Sequence, residues 1–422
     1  MKPLLRVSAA DVAALTRALA AALEGGPAVW PVPGTSDPTS RSGGAFPPPS
    51  DSIRRAHGGK APRERDELAS EVDDRIALVV ESSGSTDAPK RIALSADALI
   101  AGAEATADAL GGPGQWLLAL PGHYIAGAQV IVRGLLAGTE AIALEGERFD
   151  ASAFAAASAR LDSRRPRYTS LVPVQLARLV EAAAHDPFVA AALTSYDAVL
   201  VGGQALAPAL HHAAAELGAH LVTTYGSTET AGGCVYDGRP LDGVGVRIVE
   251  ASAGRERSGL VQLSGPMLAD GYLGDPARTA AAFATDPDGT RWYRTGDLGD
   301  LAPDGALHIR GRADDVIISG GVKVALGEVE RAIRSVASFE EAVVVPVADP
   351  EWGERTAVVV EHTRGAASAA LVRLATAIDD AGLPPAARPV HVEFVERMPL
   401  LASGKPDRRA LAARLRAAPR ED

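Results

Sequence analysis

The sequence predicts an α/β protein: a large N-terminal domain of parallel-sheet α/β layers carrying a small β-rich subdomain, then a small α+β C-terminal domain. Three observations predict it. Between residues 76 and 240, short apolar runs alternate with amphipathic segments of helical period, the pattern of parallel strands joined by crossover helices. After about 240 the runs shorten and turns separate them. Beyond residue 311 a unit of about 110 residues carries strands and helices of its own, enough for a small domain, so the division is placed at 1–311 and 312–422. Length and composition agree. At roughly 150 residues per domain, 422 residues give two to three domains, and 47% hydrophobic with 23% charged residues is ordinary globular usage.

In order along the chain, MKPLLRVSAADVAALTRALAAALEGG reads as an amphipathic helix, and acidic Asp11 with no continuous apolar core argues against a secretion signal. Residues 25–62 hold fifteen Gly or Pro in 38 positions, which is loop chemistry leading to the first core strand. That strand is IALVVES (76–82), followed by a helix from Ser95, WLLAL (116–120), a helix near 127–137 and EAIAL (140–144). The stretch 116–144 is broken by Pro121, His123, Arg133 and Glu140 and falls short of the roughly 20 apolar residues of a membrane span. YTSLV, DAVLVGG and AHLVTTYG continue the strands, with PVQLARLVEAAA and APALHHAAAEL as helices between them. DGVGVRIVE, GLVQLSG, RWYRTGDLGDL and ALHIRGR form the β-rich subdomain. The C-terminal unit reads as VIISGGVKV, helix GEVERAIRSV, strands AVVVPVA and TAVVVEH, a helix near 368–381, strand VHVEFVE and a helix from Asp407.

A formal charge of −11 and a pI near 5.4 offer polyanionic nucleic acid no general attraction. The single Cys234 cannot form an intrachain disulfide, and no Cys/His cluster has metal-site spacing. A reducing, cytoplasmic setting is expected. Cys234 itself reads as a packing residue, since no His or Lys stands beside it to lower its pKa. Composition leaves the oligomeric state open, a homo-oligomer included.

Several loops carry chemistry. In ESSGSTDAPKRIAL (81–94) a strand runs into Ser82, Ser83, Gly84, Ser85 and Thr86, then Lys90 and a second strand. Such a loop offers hydroxyls, backbone N–H groups and a point charge to phosphate oxygens. Gly84 and Lys90 have Walker-loop spacing, but Pro89 and Arg91 replace the second Gly and the magnesium-binding hydroxyl, so a P-loop NTPase is a poor match. Taken alone, the loop reads equally as an exposed turn. TTYGSTETAGGCVYDG places Tyr225, Gly226, Ser227, Thr228 and Glu229 directly after an apolar strand, where ligands meet such sheets. A carboxylate there can hold magnesium that bridges phosphates, or be a solvated loop Glu. YRTGDLG offers Asp297 beside a tight turn, as an acceptor for ribose hydroxyls or as an ordinary turn Asp. Of only 5 Lys against 37 Arg, Lys90 and Lys405 fall in the two Gly/Ser loops, positions suited to a compact ammonium rather than a guanidinium fork.

In order and spacing, SSGSTDAPK, YGSTE, GPMLADGY (265–272), YRTGDLG, GRADDVIISGG (311–321) and SGKPDR resemble the acyl-adenylate-forming superfamily of acyl-CoA synthetases, nonribosomal adenylation domains and luciferase. The resemblance covers the chain from about residue 76 to its end. It implies ATP, Mg2+ and coenzyme A as cofactors, with Thr86 and Glu229 around magnesium-ATP and Asp297 and Arg312 at the ribose. Lys405 would act at the reacting carboxylate, and a hinge at Asp314 would make the C-terminal domain mobile. The chemistry implied is attack of a carboxylate on the α-phosphate of ATP, then attack of a thiol on the acyl-adenylate.

Three departures stand out: Asp87 where the family's phosphate loop has Gly, Leu326 where Pro is common, and a phosphate loop near residue 82, which implies a largely missing first subdomain. With that shortening, LPGHYIAG and GGCVYDG resemble the o-succinylbenzoate:CoA ligases of menaquinone biosynthesis in their short high-GC bacterial form. The likeness places His123 at the acyl pocket as a catalytic or lining group, beside Gly127, Gly203 and Gly226. It also puts Gly203 with Gln204 at the adenine and aromatic acid, and Gly320 with Gly321 at the CoA channel. The partners implied are a small aromatic carboxylic acid, ATP and CoA. No carrier domain follows Asp422, so free CoA is the expected acceptor. A ligase for another aryl or acyl substrate, a free-standing adenylating enzyme and a non-catalytic nucleotide-binding protein remain open.

Overall fold

The computed structural model describes residues 1–34, 70–82, 90–146, 149–250, 259–361, 367–400 and 406–417. Its centre is a seven-stranded sheet in which strands Leu221–Ser227, Ala198–Val201, Arg167–Leu171, Gln115–Leu118 and Ile142–Ala143 run parallel. Gly232–Tyr236 and Arg239–Pro240 extend it antiparallel at one edge. Ala198–Val201 is buried along its whole length, as a strand covered on both faces must be. Several helices start where the sequence supplies a cap or a proline. Ser95 accepts from the Ala98 N–H at 3.2 Å to open helix Ala96–Ala109, and Pro173 opens helix Pro173–Ala183.

A six-stranded sheet lies beside it in the order Gly271–Tyr272, Lys90–Ser95, Ile76–Ser82, Ala28–Val32, Lys2–Ser8 and Glu71–Val72. Leu15, Leu78, Ile92, Leu99 and Ile131 are fully buried in the core that the first two sheets share through helices Val12–Leu23, Ala96–Ala109 and Ile125–Leu136. Two elements here differ from the sequence reading. Residues 2–8 form a strand before helix Val12–Leu23, because Leu4 to Ser8 pair in parallel register with Ala28 to Val32. That partner strand, AVWPV, sits inside the Gly/Pro-rich stretch read as loop; Val29 and Trp30 are buried in it, and tertiary pairing overrides local turn propensity. Helices Ala151–Ser158 and Pro187–Thr194, which the sequence reading passed over, close a second core around Phe154 and Tyr196.

The β-rich subdomain is an antiparallel sheet of Gly245–Glu250, Gly259–Ser264, Arg291–Leu301 and Phe283–Thr285, with Leu307–Arg312 paired to Arg291–Leu301. The C-terminal unit has its own sheet (Val322–Ala325, Val316–Ser319, Gly353–Glu361, Val343–Asp349, with His391–Val395 alongside Gly353–Glu361) and its own core. Its last helix, Arg408–Ala417, is fastened by buried Glu330, which pairs with Arg408 at 2.6 Å and Arg334 at 3.0 Å and accepts from the Val344 N–H. A buried carboxylate satisfied by two guanidiniums and a backbone donor fixes where that helix begins. Among the described residues, no helix is long and apolar enough to cross a membrane.

Candidate active site

Strand Leu221–Ser227 delivers the site's first group of residues to the end of the parallel sheet. At Gly226 an added Cβ would lie 2.1 Å from the Gly232 carbonyl oxygen, so only glycine allows the strand to pass its antiparallel neighbour here. The chain then turns through a short 3-10 segment, Thr228–Thr230, closed by a Ser227 N–H donating to Thr230 Oγ1 at 2.8 Å. This turn carries Glu229 inward to 7% exposure. The loop 265–272 holds Glu229 twice: the Ala269 N–H donates to its carbonyl at 2.9 Å, and the Tyr272 hydroxyl donates to its Oε1 at 2.8 Å.

Tyr225 points the other way, its hydroxyl donating to Asp297 Oδ2 at 2.6 Å. Asp297 does not sit in a turn, as the sequence suggested, but within the long strand Arg291–Leu301, where Gly296 at φ +76° kinks the backbone and takes the Arg312 guanidinium against its Cα. Arg312 lies opposite Asp297 in register and donates to Asp297 Oδ1 at 3.3 Å, to the Thr295 carbonyl at 3.2 Å and, through Nε, to Asp314 Oδ1 at 3.0 Å. Burial raises the Asp297 carboxyl above the ordinary aspartate value, with Tyr225 and Arg312 opposing it. Burial also raises the Tyr225 phenol, and the Asp297 charge adds to that, so Tyr225 stays a donor. For Arg312 burial pulls down, but the bond to Asp314 and the two carboxylate charges outweigh it and hold the guanidinium charged.

Of the other predicted residues, Asp314 belongs to the second cluster through its bond to Arg312, and the rest lie on separate strands and turns. Lys90 starts its strand opposite Ser82, with its ammonium 5.9 Å from the Tyr272 ring centroid. His123 is half-buried in the loop after Gln115–Leu118, its ring 4.2 Å from that of Tyr124 and its Nδ1 buried without a partner. Desolvation lowers its pKa, which keeps the imidazole neutral at pH 7. Gly127 is a packing necessity of that loop, since a Cβ there would meet the Pro121 carbonyl oxygen at 2.3 Å. Gly203, at φ +80°, and Gln204 follow strand Ala198–Val201. Gly320 and Gly321, at φ +56° and +82°, form the two-residue turn between Val316–Ser319 and Val322–Ala325, a turn that requires positive φ at both positions. Asp314 is exposed in the 3-10 turn Ala313–Asp315. Ser83, Gly84, Ser85, Thr86, Asp87 and Lys405 lie outside the described residues. Cys234 is buried, its thiol pushed up to about 12 by desolvation.

Residues 12–273 match the model of the AMP-binding enzyme family, and residues 328–405 match that of the AMP-binding enzyme C-terminal domain. The chain belongs to the AMP-binding enzyme family. A probable 2-succinylbenzoate--CoA ligase of Mycobacterium tuberculosis is 39% identical to this AMP-binding enzyme over 350 residues, covering 82% of this chain and 86% of that protein. The o-succinylbenzoate CoA synthetase of Bacillus subtilis in complex with the acyl-adenylate intermediate OSB-AMP superposes with a TM-score of 0.68 at 25% identity, over 82% of this chain and 69% of that one. The amide bond synthetase McbA of Marinactinospora thermotolerans superposes with a TM-score of 0.68 at 30% identity, over 85% and 74% of the two chains.

Two residues of this AMP-binding enzyme's site escaped the sequence reading. Tyr272 stood inside the quoted GPMLADGY segment without a role. Arg291, which donates to the Ala269 and Asp270 carbonyls at 2.6 and 2.9 Å and so braces the loop that holds Glu229, gave no signal at all.

The raised Asp297 pKa predicts a pH dependence. If Asp297 holds the ribose, its charged form is the stronger acceptor of the hydroxyls, so AMP affinity should fall as pH drops through the raised Asp297 pKa. Folding runs the other way: this group favours the folded state most below the unfolded aspartate pKa and loses that contribution as pH rises through its folded value. Titration calorimetry of AMP binding against pH should show the acid limb in the wild type and a flat, weaker profile in Asp297→Asn. A limb that survives the substitution assigns it to another group.

Proposed function

We propose that this AMP-binding enzyme is an ATP-dependent o-succinylbenzoate:CoA ligase, serving menaquinone biosynthesis through an acyl-adenylate. The observation that carries the reading is the 39% identity to the Mycobacterium tuberculosis ligase over most of both chains. The geometry supports it, because two buried carboxylates, each held by a tyrosine hydroxyl, stand at the end of a parallel sheet where a nucleotide would lie.

In the first step the acid's carboxylate oxygen bonds to the α-phosphorus of ATP and pyrophosphate leaves. Asp297, fixed by Tyr225 and Arg312, accepts the ribose hydroxyls and sets the position of the α-phosphate. Lys90 and the serine and threonine hydroxyls of the phosphate loop take the polyphosphate, and Lys405 neutralises charge between carboxylate and phosphate. Glu229, with Thr86, fits a magnesium site: it is a buried carboxylate that takes a neutral hydroxyl donor rather than a cation among the described residues, and magnesium on ATP needs only one or two protein oxygens. Bound magnesium would supply charge neutralisation of the phosphates. In the second step the CoA sulfur attacks the acyl carbon, the C–O bond to AMP breaks, and the thiol proton is lost. Neutral His123 with Gly127, Gly203 and Gly226 would line the acyl pocket, and the Gly320–Gly321 turn would enter the pantetheine channel after rotation of the 312–422 unit about Asp314.

The direct test is pyrophosphate release and thioester formation with o-succinylbenzoate, ATP, Mg2+ and CoA. We expect o-succinylbenzoate to be the preferred acid; benzoates or fatty acids turning over with tenfold higher kcat/KM would make the assignment too narrow. The similarity to McbA favours one second reading, transfer of the acyl group to an amine, which an amide product formed in preference to thioester would support. The hinge has its own test. Proline at 314 disfavours the helical region that Ala313 occupies in its 3-10 turn and removes the side chain bound by Arg312. Asp314→Pro should keep one half-reaction, adenylation, and lose the other by more than tenfold; wild-type rates in both would place the hinge elsewhere.

A further inference from the structure

Tyr272 has the geometry of a positioning residue for the nucleotide's metal. It is only 8% exposed, on the two-residue strand Gly271–Tyr272 at the edge of the six-stranded sheet. Its backbone is locked: the Tyr272 N–H donates to Thr279 Oγ1 at 2.9 Å, and Gly271, at φ +149°, admits Thr279 so closely that a Cβ would lie 2.5 Å from its methyl group. Its ring stands near three groups, the Lys90 ammonium at 5.9 Å, the Arg278 guanidinium at 5.8 Å and the Phe283 ring at 6.3 Å. From this fixed ring the hydroxyl reaches Glu229 Oε1 at 2.8 Å, while Ala269, three residues earlier, holds the Glu229 backbone.

We propose that Tyr272 sets the orientation of Glu229 toward magnesium on ATP, by occupying one carboxylate oxygen and leaving the other for the metal, and that the same ring sets the spacing between Glu229 and Lys90. This rests on the ligase reading above, in which Glu229 is a metal ligand. Partners that orient a ligating carboxylate contribute about 10- to 100-fold to metal affinity. The role is distinct from a merely structural one because it shows in metal affinity measured on the folded protein.

The test uses Tyr272→Phe, which keeps the ring and its packing and removes only the hydroxyl, in the full chain. Mn2+ binding in the presence of ATP, followed by electron paramagnetic resonance, should weaken about tenfold or more, and the Mg2+ concentration for half-maximal pyrophosphate release should rise by a similar factor. The thermal unfolding midpoint without ligand should fall by no more than the loss of one buried hydrogen bond, and the loss of Mn2+ affinity should persist at temperatures where the variant is fully folded. Unchanged Mn2+ affinity, or a loss of rate at every Mg2+ concentration with the midpoint unmoved, would overturn the proposal. Glu229→Gln separates this outcome from failure of the underlying reading: if it binds Mn2+ and ATP as the wild type does, Glu229 is not a metal ligand, and if it loses binding while Tyr272→Phe keeps it, only the positioning role falls.

Discussion

The hydrogen bond from Tyr225 to Asp297 is the contact on which the site depends. It joins the last parallel strand of the central sheet to the longest strand of the antiparallel subdomain, two elements 72 residues apart in sequence. At 2.6 Å between a phenol and a carboxylate only 15% exposed, it is charge-assisted and shielded from water, the class of hydrogen bond that contributes roughly 1.5–3 kcal/mol. Arg312 completes it from the far side and passes it on to Asp314, so the same guanidinium that holds the Asp297 carboxylate also holds the turn where the C-terminal unit begins. On the proposed reading, a nucleotide that engaged Asp297 would act on the group holding that turn.

Glu229 repeats the arrangement in the same loop system. Each carboxylate is buried, each accepts from a tyrosine hydroxyl, and each is carried by a backbone feature that a side chain would disrupt: Gly226 at the strand crossing before Glu229, Gly296 at the kink before Asp297. Carboxylates fixed before a ligand arrives need no reorganisation when hydroxyl donors or a cation engage them. The cost is desolvation, visible in the raised Asp297 carboxyl.

The parallel sheet was legible because strands such as Ala198–Val201 are buried on both faces and so appear as continuous apolar runs, while Ser95 and Pro173 mark helix starts. The N-terminal strand was not: Ser8 and the N-cap Asp11 mark the break before helix Val12–Leu23, but residues 2–8 become a strand only by pairing with Ala28–Val32 within a Gly/Pro-rich stretch. Tyr225, Glu229, Asp297 and Arg312 were named from motifs, and the structure brings them into two adjoining clusters. What holds them was hidden, since Tyr272 and Arg291 act across strands paired only in three dimensions. Asp297 was placed in a turn because Gly296 suggests one; the strand accommodates that glycine as a local kink.

If the Tyr225–Asp297 pair prepares the nucleotide site, the two side chains act on AMP as a unit. The most direct test is a double-mutant cycle of Tyr225→Phe and Asp297→Asn on AMP affinity, with the unfolding midpoint of each variant as a control. A coupling of about 1 kcal/mol or more between the two substitutions is the predicted result, because removing either partner already loses the shared hydrogen bond. Additive effects, with each substitution weakening AMP independently of the other, would contradict the account.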